Sequence, residues 1–476
     1  MATQFYTEEL VYSKGIMAHG NYKYLRIVPL GSSGQSPQLS LTSTTQTQFE
    51  LPNNVINLSL CKLCFDLPIG LQGAATKFNN IYANALSLID HITLTSRSGV
   101  ILADIPNTHI FGSLVSNVNT KYTDLISRNP GSYVLAAGAN SNNTDAPNAV
   151  SLAGSITVSQ MNPVNDIVRC NGTVNYQTSA AGISATAVTA LAYTPTIEPL
   201  VLFTAPALAQ ANCISYQINL SAFKDTLMEL NKNIYFDNNL LLTINWNSVV
   251  KMGFTTTALV AANTLTGFGP FTVAPTLNNL YLYTACETDP TIISQLVSTV
   301  NSGEFSMIVP FVQHQKYVTG SATTSSMQQR LNSDSGSSLL RTYFGIYPST
   351  ESDLTTYTHN DSFVVSYNTY MDGLRLQDFT IQSSDATHWL SNERNFKDSC
   401  MLSLPQYKSN FIHIDNWCGS SVCNNDDTVL NGLSLDSDRT WSVIVNTNAV
   451  AASYRFYLFY TTQKKLVISK GSLQLV

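Results

Sequence analysis

Apolar residues return at every second position through much of this chain. Ile92 and Leu94 alternate with Thr93 and Thr95. Phe305, Met307 and Val309 repeat the pattern, as do Trp441, Val443 and Val445, then Phe456, Leu458 and Tyr460. Leu466 and Ile468, and finally Leu473 and Leu475, carry it to the last residues. Successive side chains of a strand point to opposite faces, so period two predicts strands with one buried face. Turn signals punctuate the runs. Ser96-Arg97-Ser98-Gly99 before Val100-Ile101-Leu102 predicts a hairpin, and Lys470-Gly471 predicts another at the end. Between Phe49 and Leu60 the alternation is imperfect. Its phase flips near Lys62, after which Leu63, Phe65 and Leu67 continue it. Such a flip predicts a bulge or a strand between two buried faces.

Two segments break the strand pattern. Leu220, Phe223, Leu227 and Leu230 lie at helical spacing and predict a helix over 220–233. The second signal is sharper. Asp289 suits an N-cap and Pro290 the first helical position. Ile292, Ile293, Leu296, Val297 and Val300 make one face, and Asn301-Ser302-Gly303 ends it. Strand-rich sequence flanks this helix, so it reads as a connector (289–303) between two β domains. Residues 1–30 read as an extended N-terminal arm, 31–288 as the first domain and 304–476 as the second. The Asn-, Ser-, Gly- and Pro-rich stretch 117–165 reads as a long surface loop. Residues 176–195 read as irregular structure with short strands. Eight strands of about six residues take about 50 residues. Two such domains leave more than half of the 476 residues to loops. The fold class is all-β, built from sandwiches or jelly rolls.

Composition narrows the functions open to such a chain. Only 11% of residues are charged, against about 25% in an ordinary soluble domain. Lys plus Arg number 24 and Asp plus Glu 30. No clustered positive charge exists for bulk binding of nucleic acid, and residues 1–30 are near neutral, so the arm does not grip phosphate. Residues 1–30 carry Glu8, Glu9, Lys14, Lys23 and Arg26 with no apolar core between them, so no secretory signal is predicted. No transmembrane segment is predicted either. The charge-free stretch 252–286 is long enough but is broken by Gly267, Gly269, Pro270 and Pro275.

Candidate chemistry is sparse. The seven histidines, His19, His91, His109, His314, His359, His388 and His413, match no metal-ligand spacing. Asp90-His91 and His413-Ile414-Asp415 place a carboxylate beside an imidazole. On a strand His413 and Asp415 share a face, which makes them the best acid–base pair available, with a structural hydrogen bond as the plainer reading. Cys61 and Cys64 sit three apart in a strand-like run and would point to opposite faces, while Cys418 and Cys423 flank a loop. All eight cysteines are expected as reduced, packing thiols. Gly267-Phe268-Gly269-Pro270 resembles half a dinucleotide fingerprint but lacks its βαβ context, and Gly31-Ser32-Ser33-Gly34 and Gly336-Ser337-Ser338 read as turns. The sequons at Asn57 and Asn171 are expected to be unmodified. No catalytic, cofactor-binding or metal residue is assigned, and no cofactor.

Several segments together resemble one family. They are residues 49–60 (FELPNNVINLSL), 88–94 (LIDHITL) with Asp104-Ile105, and 218–223 (INLSAF) running into 230–236 (LNKNIYF). Residues 279–283 (NLYLY), 338–341 (SLLR) and 431–435 (NGLSL) followed by Trp441 complete them. In order and coverage they are similar to the double jelly-roll major capsid proteins of icosahedral DNA viruses, nearest the Polinton-like virus and virophage branch. The resemblance implies two eight-stranded jelly rolls side by side, with a few short helices in loops. It implies a structural protein of the virion capsid rather than an enzyme, made in the host cell. It further implies a pseudo-hexagonal homotrimer, trimer–trimer contacts in the shell, and penton and minor or cement protein partners. By the same analogy 117–165 is an outer loop and 1–30 an inner arm. The alternative from composition is a carbohydrate-binding β-sandwich of the lectin or adhesin kind.

Overall fold

The computed structural model describes residues 21–32, 37–42, 45–68, 77–81, 85–116, 213–257, 269–270, 274–303, 305–319, 322–332, 334, 336–348, 364–382, 392, 412–418, 432–447 and 454–476. The loop expected at 117–165, the irregular stretch 176–195, most of the arm, Asn171 and Cys423 lie outside them.

Eight principal strands form the first sandwich. They are β1 (Tyr22–Ile27), β2 (Gln46–Leu51), β3 (Lys62–Pro68), β4 (Ile89–Ser96), β5 (Ile101–Pro106), β6 (Cys213–Asn219), β7 (Leu240–Trp246) and β8 (Thr276–Glu287). One sheet runs β1-β8-β3-β6 and the other β2-β7-β4-β5, with antiparallel neighbours. Shorter strands at Leu39–Ser40, Val55–Asn57 and Asn233–Tyr235 extend the first sheet.

The second sandwich repeats this order. Its strands are β9 (Phe305–Val318), β10 (Thr324–Leu331), β11 (Ser338–Pro348), β12 (Val364–Met371), β13 (Leu374–Arg375), β14 (Ile412–Asn416), β15 (Arg439–Thr447) and β16 (Tyr454–Ser469). The sheets run β9-β16-β11-β14 and β10-β15-β12-β13, and a last strand, β17 (Ser472–Leu475), folds back on β16. Strands one, eight, three and six in one sheet and two, seven, four and five in the other make a jelly roll. The chain is therefore two jelly rolls in tandem.

Both hairpins form as the turn residues predict. Gly99 and Gly471 adopt left-handed φ values of 92° and 71°, which only glycine reaches at little cost. The phase flip near Lys62 has a different cause from a bulge. A single 3-10 turn, Leu58–Leu60, separates Val55–Asn57 from β3 and re-sets which residues face inward. The arm expected over 1–30 is shorter than that, because residues 22–27 pair with β8 as a full strand of the first sheet.

Three α-helices stand among the described residues: α1 (Thr108–Phe111), α2 (Val249–Met252) and α3 (Pro290–Ser302). Helix α3 is the connector. The Asp289 side chain accepts a hydrogen bond from the Thr291 amide at 2.8 Å, capping the helix as its sequence predicts. Ile292, Leu296 and Val300 are its buried face, lying against the short strand Asn233–Tyr235 and β16. It is thus pinned to both sandwiches.

The helix expected over 220–233 does not form. The segment is two 3-10 turns, Leu220–Ala222 and Leu227–Glu229, around an interruption. There Asp225 takes a left-handed φ of 57° and Thr226 is extended, capping the second turn through Met228. Leu220, Phe223 and Leu227 are buried, so the spacing found the inward residues. It missed the chain reversal that Asp225 makes, a conformation Asp tolerates better than most residues.

Candidate functional site

The second sandwich buries both faces of one of its sheets. On β16 every residue from Tyr454 to Thr462 is buried. Phe456, Leu458 and Tyr460 point into the second sandwich's own core. Tyr457 and Phe459 join a cluster continuous with the first sandwich, as do Tyr343 and Tyr347 of β11 and Ile412 and Ile414 of β14. The outer face of β9-β16-β11-β14 is thus seated on the first jelly roll, on the segment around α1 and the turns near Asp225. Phe111 meets Phe459 edge-on at 5.4 Å, and a Cβ added at Gly345 would lie 2.6 Å from Leu114.

A charged lock lies inside this joint. Asp225 and Arg341 are both fully buried, and the Arg341 guanidinium donates to the Asp225 carboxylate at 2.8 Å. The Tyr343 hydroxyl donates to the same carboxylate at 2.5 Å, and Thr461 lies 3.3 Å from it. Burial alone would lower the Arg341 pKa; the adjacent carboxylate more than reverses this and raises it. The Asp225 backbone amide is held in turn by Glu229 at 2.7 Å. Sequence reasoning missed this site. Its only local signal was an Asp inside a failed helical pattern, and its partner lies 116 residues away.

The pair singled out from sequence, His413 and Asp415, does share a face of β14 and is hydrogen-bonded at 2.9 Å. It points into the second sandwich. Asp415 also accepts from the Trp441 indole at 2.8 Å and from Thr369 at 3.2 Å, and the far imidazole nitrogen lies 3.0 Å from the Tyr367 hydroxyl. Burial would raise the Asp415 pKa, but His413 and these hydrogen bonds outweigh it and hold the carboxyl below its usual value. Both side chains are enclosed, so neither can meet a substrate. The network ties β14 to β12 and β15 across the sandwich.

His91 pairs with Asp104 of the neighbouring strand rather than with Asp90, which lies 3.6 Å from the buried His109. His314 of β9 sits at the joint, 4.8 Å from the Phe459 ring and 3.4 Å from the Asn107 amide. Cys61, Cys64 and Cys418 are buried and unbridged. Burial pushes the Cys61 thiol up to about 12 and the Cys64 and Cys418 thiols to about 11, which makes them packing groups and poor nucleophiles. Among the described residues no His, Cys, Asp or Glu cluster could hold a metal, and no helix is long and apolar enough to cross a membrane. Asn57 is buried and bonded to Asn231 at 2.9 Å, so its sequon is closed to modification in the folded chain.

No protein-family model matches this chain, and no curated protein matches it in sequence. Solved structures do match its fold. PBCV-1 VP54, fitted into a cryo-EM reconstruction of the virophage Sputnik, aligns with a TM-score of 0.52 at 9% identity, over 96% of this chain and 97% of that one. A chain of the Sputnik virophage cryo-EM structure aligns at 0.51 and 12% identity, over 96% and 88%. The mavirus major capsid protein aligns at 0.51 and 9% identity, over 95% and 90%. The likeness spans both sandwiches, so what is shared is the tandem arrangement: this chain has the double jelly-roll fold.

Proposed function

We propose that this chain is a major capsid protein, a structural building block of an icosahedral viral shell. The observation that carries the reading is the joint. Two jelly rolls of one topology are locked into a single body by a continuous apolar cluster and a buried Asp225–Arg341 pair. That body matches capsid chains over nearly its whole length. Three such bodies in a ring supply six sandwiches, which gives a pseudo-hexagonal homotrimer able to tile a shell. Trimers then meet one another and penton and minor or cement proteins in the virion. The enclosed His413–Asp415 network and the raised thiols support a structural role and not turnover. The solved structures that the chain resembles are virus-particle proteins, which leaves the carbohydrate-binding alternative without support.

The test is the solution mass of the purified chain, with negative-stain images of the same sample. Three times 52.0 kDa is about 156 kDa. A particle of that mass with a hexagonal outline, or self-assembled shells, is the expected result. A chain that stays at 52.0 kDa at high concentration sinks the reading.

A further inference from the structure

The joint between the jelly rolls has two unlike parts, set side by side along β16. At Thr461 stands the lock. Thr461 lies opposite Arg341 on β11 and opposite Val312 on β9, and Asp225 comes to it from the first jelly roll. The lock is a carboxylate, a guanidinium and two hydroxyls. It contains no histidine, the side chain that ordinarily titrates between pH 5 and 8.

Two residues along the same face the chemistry changes. Phe459 lies opposite His314 of β9, and Tyr457 lies opposite Lys316. The His314 ring is 4.8 Å from Phe459 and 5.9 Å from Tyr457. The Lys316 ammonium is 5.6 Å from the centre of the Tyr457 ring, and the Arg455 guanidinium is 5.8 Å from it. The second jelly roll thus brings two cations and one protonatable imidazole to a single aromatic ring. The first jelly roll covers them with α1 and its flanks, where Phe111 meets Phe459 and the Asn107 side chain lies 3.4 Å from His314 Nε2.

A proton on His314 would make a third positive charge at this spot. The carboxylate that could answer it is Asp104 of β5, and Asp104 is already bound to His91 of β4. In α1 itself the titratable group is His109, which has Asp90 of β4 at 3.6 Å. Charging a group enclosed among aromatic rings is costly, and like charges add to the cost. The cost falls away when α1 lifts and water reaches the imidazole.

We propose that the joint is an acid-operated hinge, in which a proton on His314 parts the α1 segment from β9 and β16 while the Asp225–Arg341 lock keeps the two jelly rolls together. The device acts within one chain, so it stands or falls independently of how copies assemble. Closed, His314 has its pKa lowered to about 4 by burial and by Lys316. Open, it titrates near 6.5, as an exposed histidine does. Those two values favour opening at pH 5 over pH 7.5 by about 30-fold.

Hydrogen exchange of the full-length chain, read by mass spectrometry at pH 7.5 and pH 5 and corrected for intrinsic exchange, tests the hinge. In the wild type, protection over 107–116 is expected to fall about 30-fold in acid, with 220–230 and 338–348 unchanged. His314→Phe is expected to keep its protection over 107–116 at pH 5. An equal fall in all three segments means general acid unfolding and overturns the hinge, as does no fall at all. A variant that responds like the wild type overturns the role of His314. Should His314→Phe fail to fold, Asn107→Asp decides. Asn107 has a left-handed φ of 51°, which Asp also tolerates, and the new carboxylate would stand beside Nε2. Acid then gives His314 a counter-charge, so protection over 107–116 is expected to hold or rise at pH 5. A fall as large as in the wild type overturns the proposal.

Discussion

At the scale of single residues, polar groups inside this protein decide more than their number suggests. Asp225 is the plainest case. It combines a left-handed backbone, a buried carboxylate and three partners from the other sandwich. Asp225→Ala leaves the Arg341 charge enclosed without a counter-charge, and breaking one side of a buried pair costs about 3–5 kcal/mol. Thermal or denaturant unfolding of Asp225→Ala is expected to show a loss of that size. Asp225→Ala combined with Arg341→Met is expected to recover much of it, because no uncompensated charge remains. An additive loss in the double variant would refute this account of the lock. The His413–Asp415 pair shows how far local spacing reaches. Residues two apart on one strand share a face, so their hydrogen bond was legible in sequence. Which face was not, because that depends on Trp441 and Thr369 arriving from other strands.

At the scale of elements, periodicity succeeded wherever a strand has one buried face. Trp441, Val443 and Val445 alternate in sequence and are fully buried. Strand β16 is different. Its sequence alternation marked Phe456, Leu458 and Tyr460, while Tyr457 and Phe459 between them are equally buried. A strand enclosed on both sides reads as a continuous apolar run, and its second partner leaves no local pattern. Helices obey the same division. Capping residues act on their own helix, so Asp289, Pro290 and Gly303 were legible. The 220–233 segment was misread because four apolar residues at helical spacing are also compatible with two tight turns. Asp289→Ala removes the bond to the Thr291 amide and is expected to lower stability by about 1 kcal/mol. Equilibrium denaturation measures it, and Asp289→Ser, which can still cap, is expected to lose much less.

At the scale of the whole molecule, the shared cluster makes the two sandwiches one body with a titratable joint. His314 of β9 lies there among Phe459, Tyr457 and Asn107, with Lys316, Asp104 and His91 as the charged or titratable groups around it. Burial first, then Lys316, lower its pKa to about 4. An unfolded histidine titrates near 6.5. Between those values the unfolded chain holds a proton that the folded chain refuses. Stability from a neutral His314 is therefore complete above about pH 6.5 and is lost as pH falls toward about 4. His91 acts in the opposite sense, since its hydrogen bond to Asp104 raises its pKa, but it is more exposed and contributes less. Thermal unfolding midpoints at pH 7.5 and pH 5 are expected to fall with acid in the wild type and to fall less in His314→Phe. Equal slopes in the two proteins would remove His314 as the cause.

The amino-acid sequence by itself determined the all-β class, the capped connector helix, the two hairpin turns and the shared face of His413 and Asp415. Each of these is a local property, set by neighbours within a few positions along the chain. Tertiary structure alone decided that two jelly rolls share one core, that β16 is enclosed on both sides, and that Asp225 meets Arg341. Those outcomes depend on surfaces brought together from more than 100 residues apart, as with the 116 residues between Asp225 and Arg341. A sequence pattern records which way a side chain points relative to its neighbours. It does not record what stands opposite.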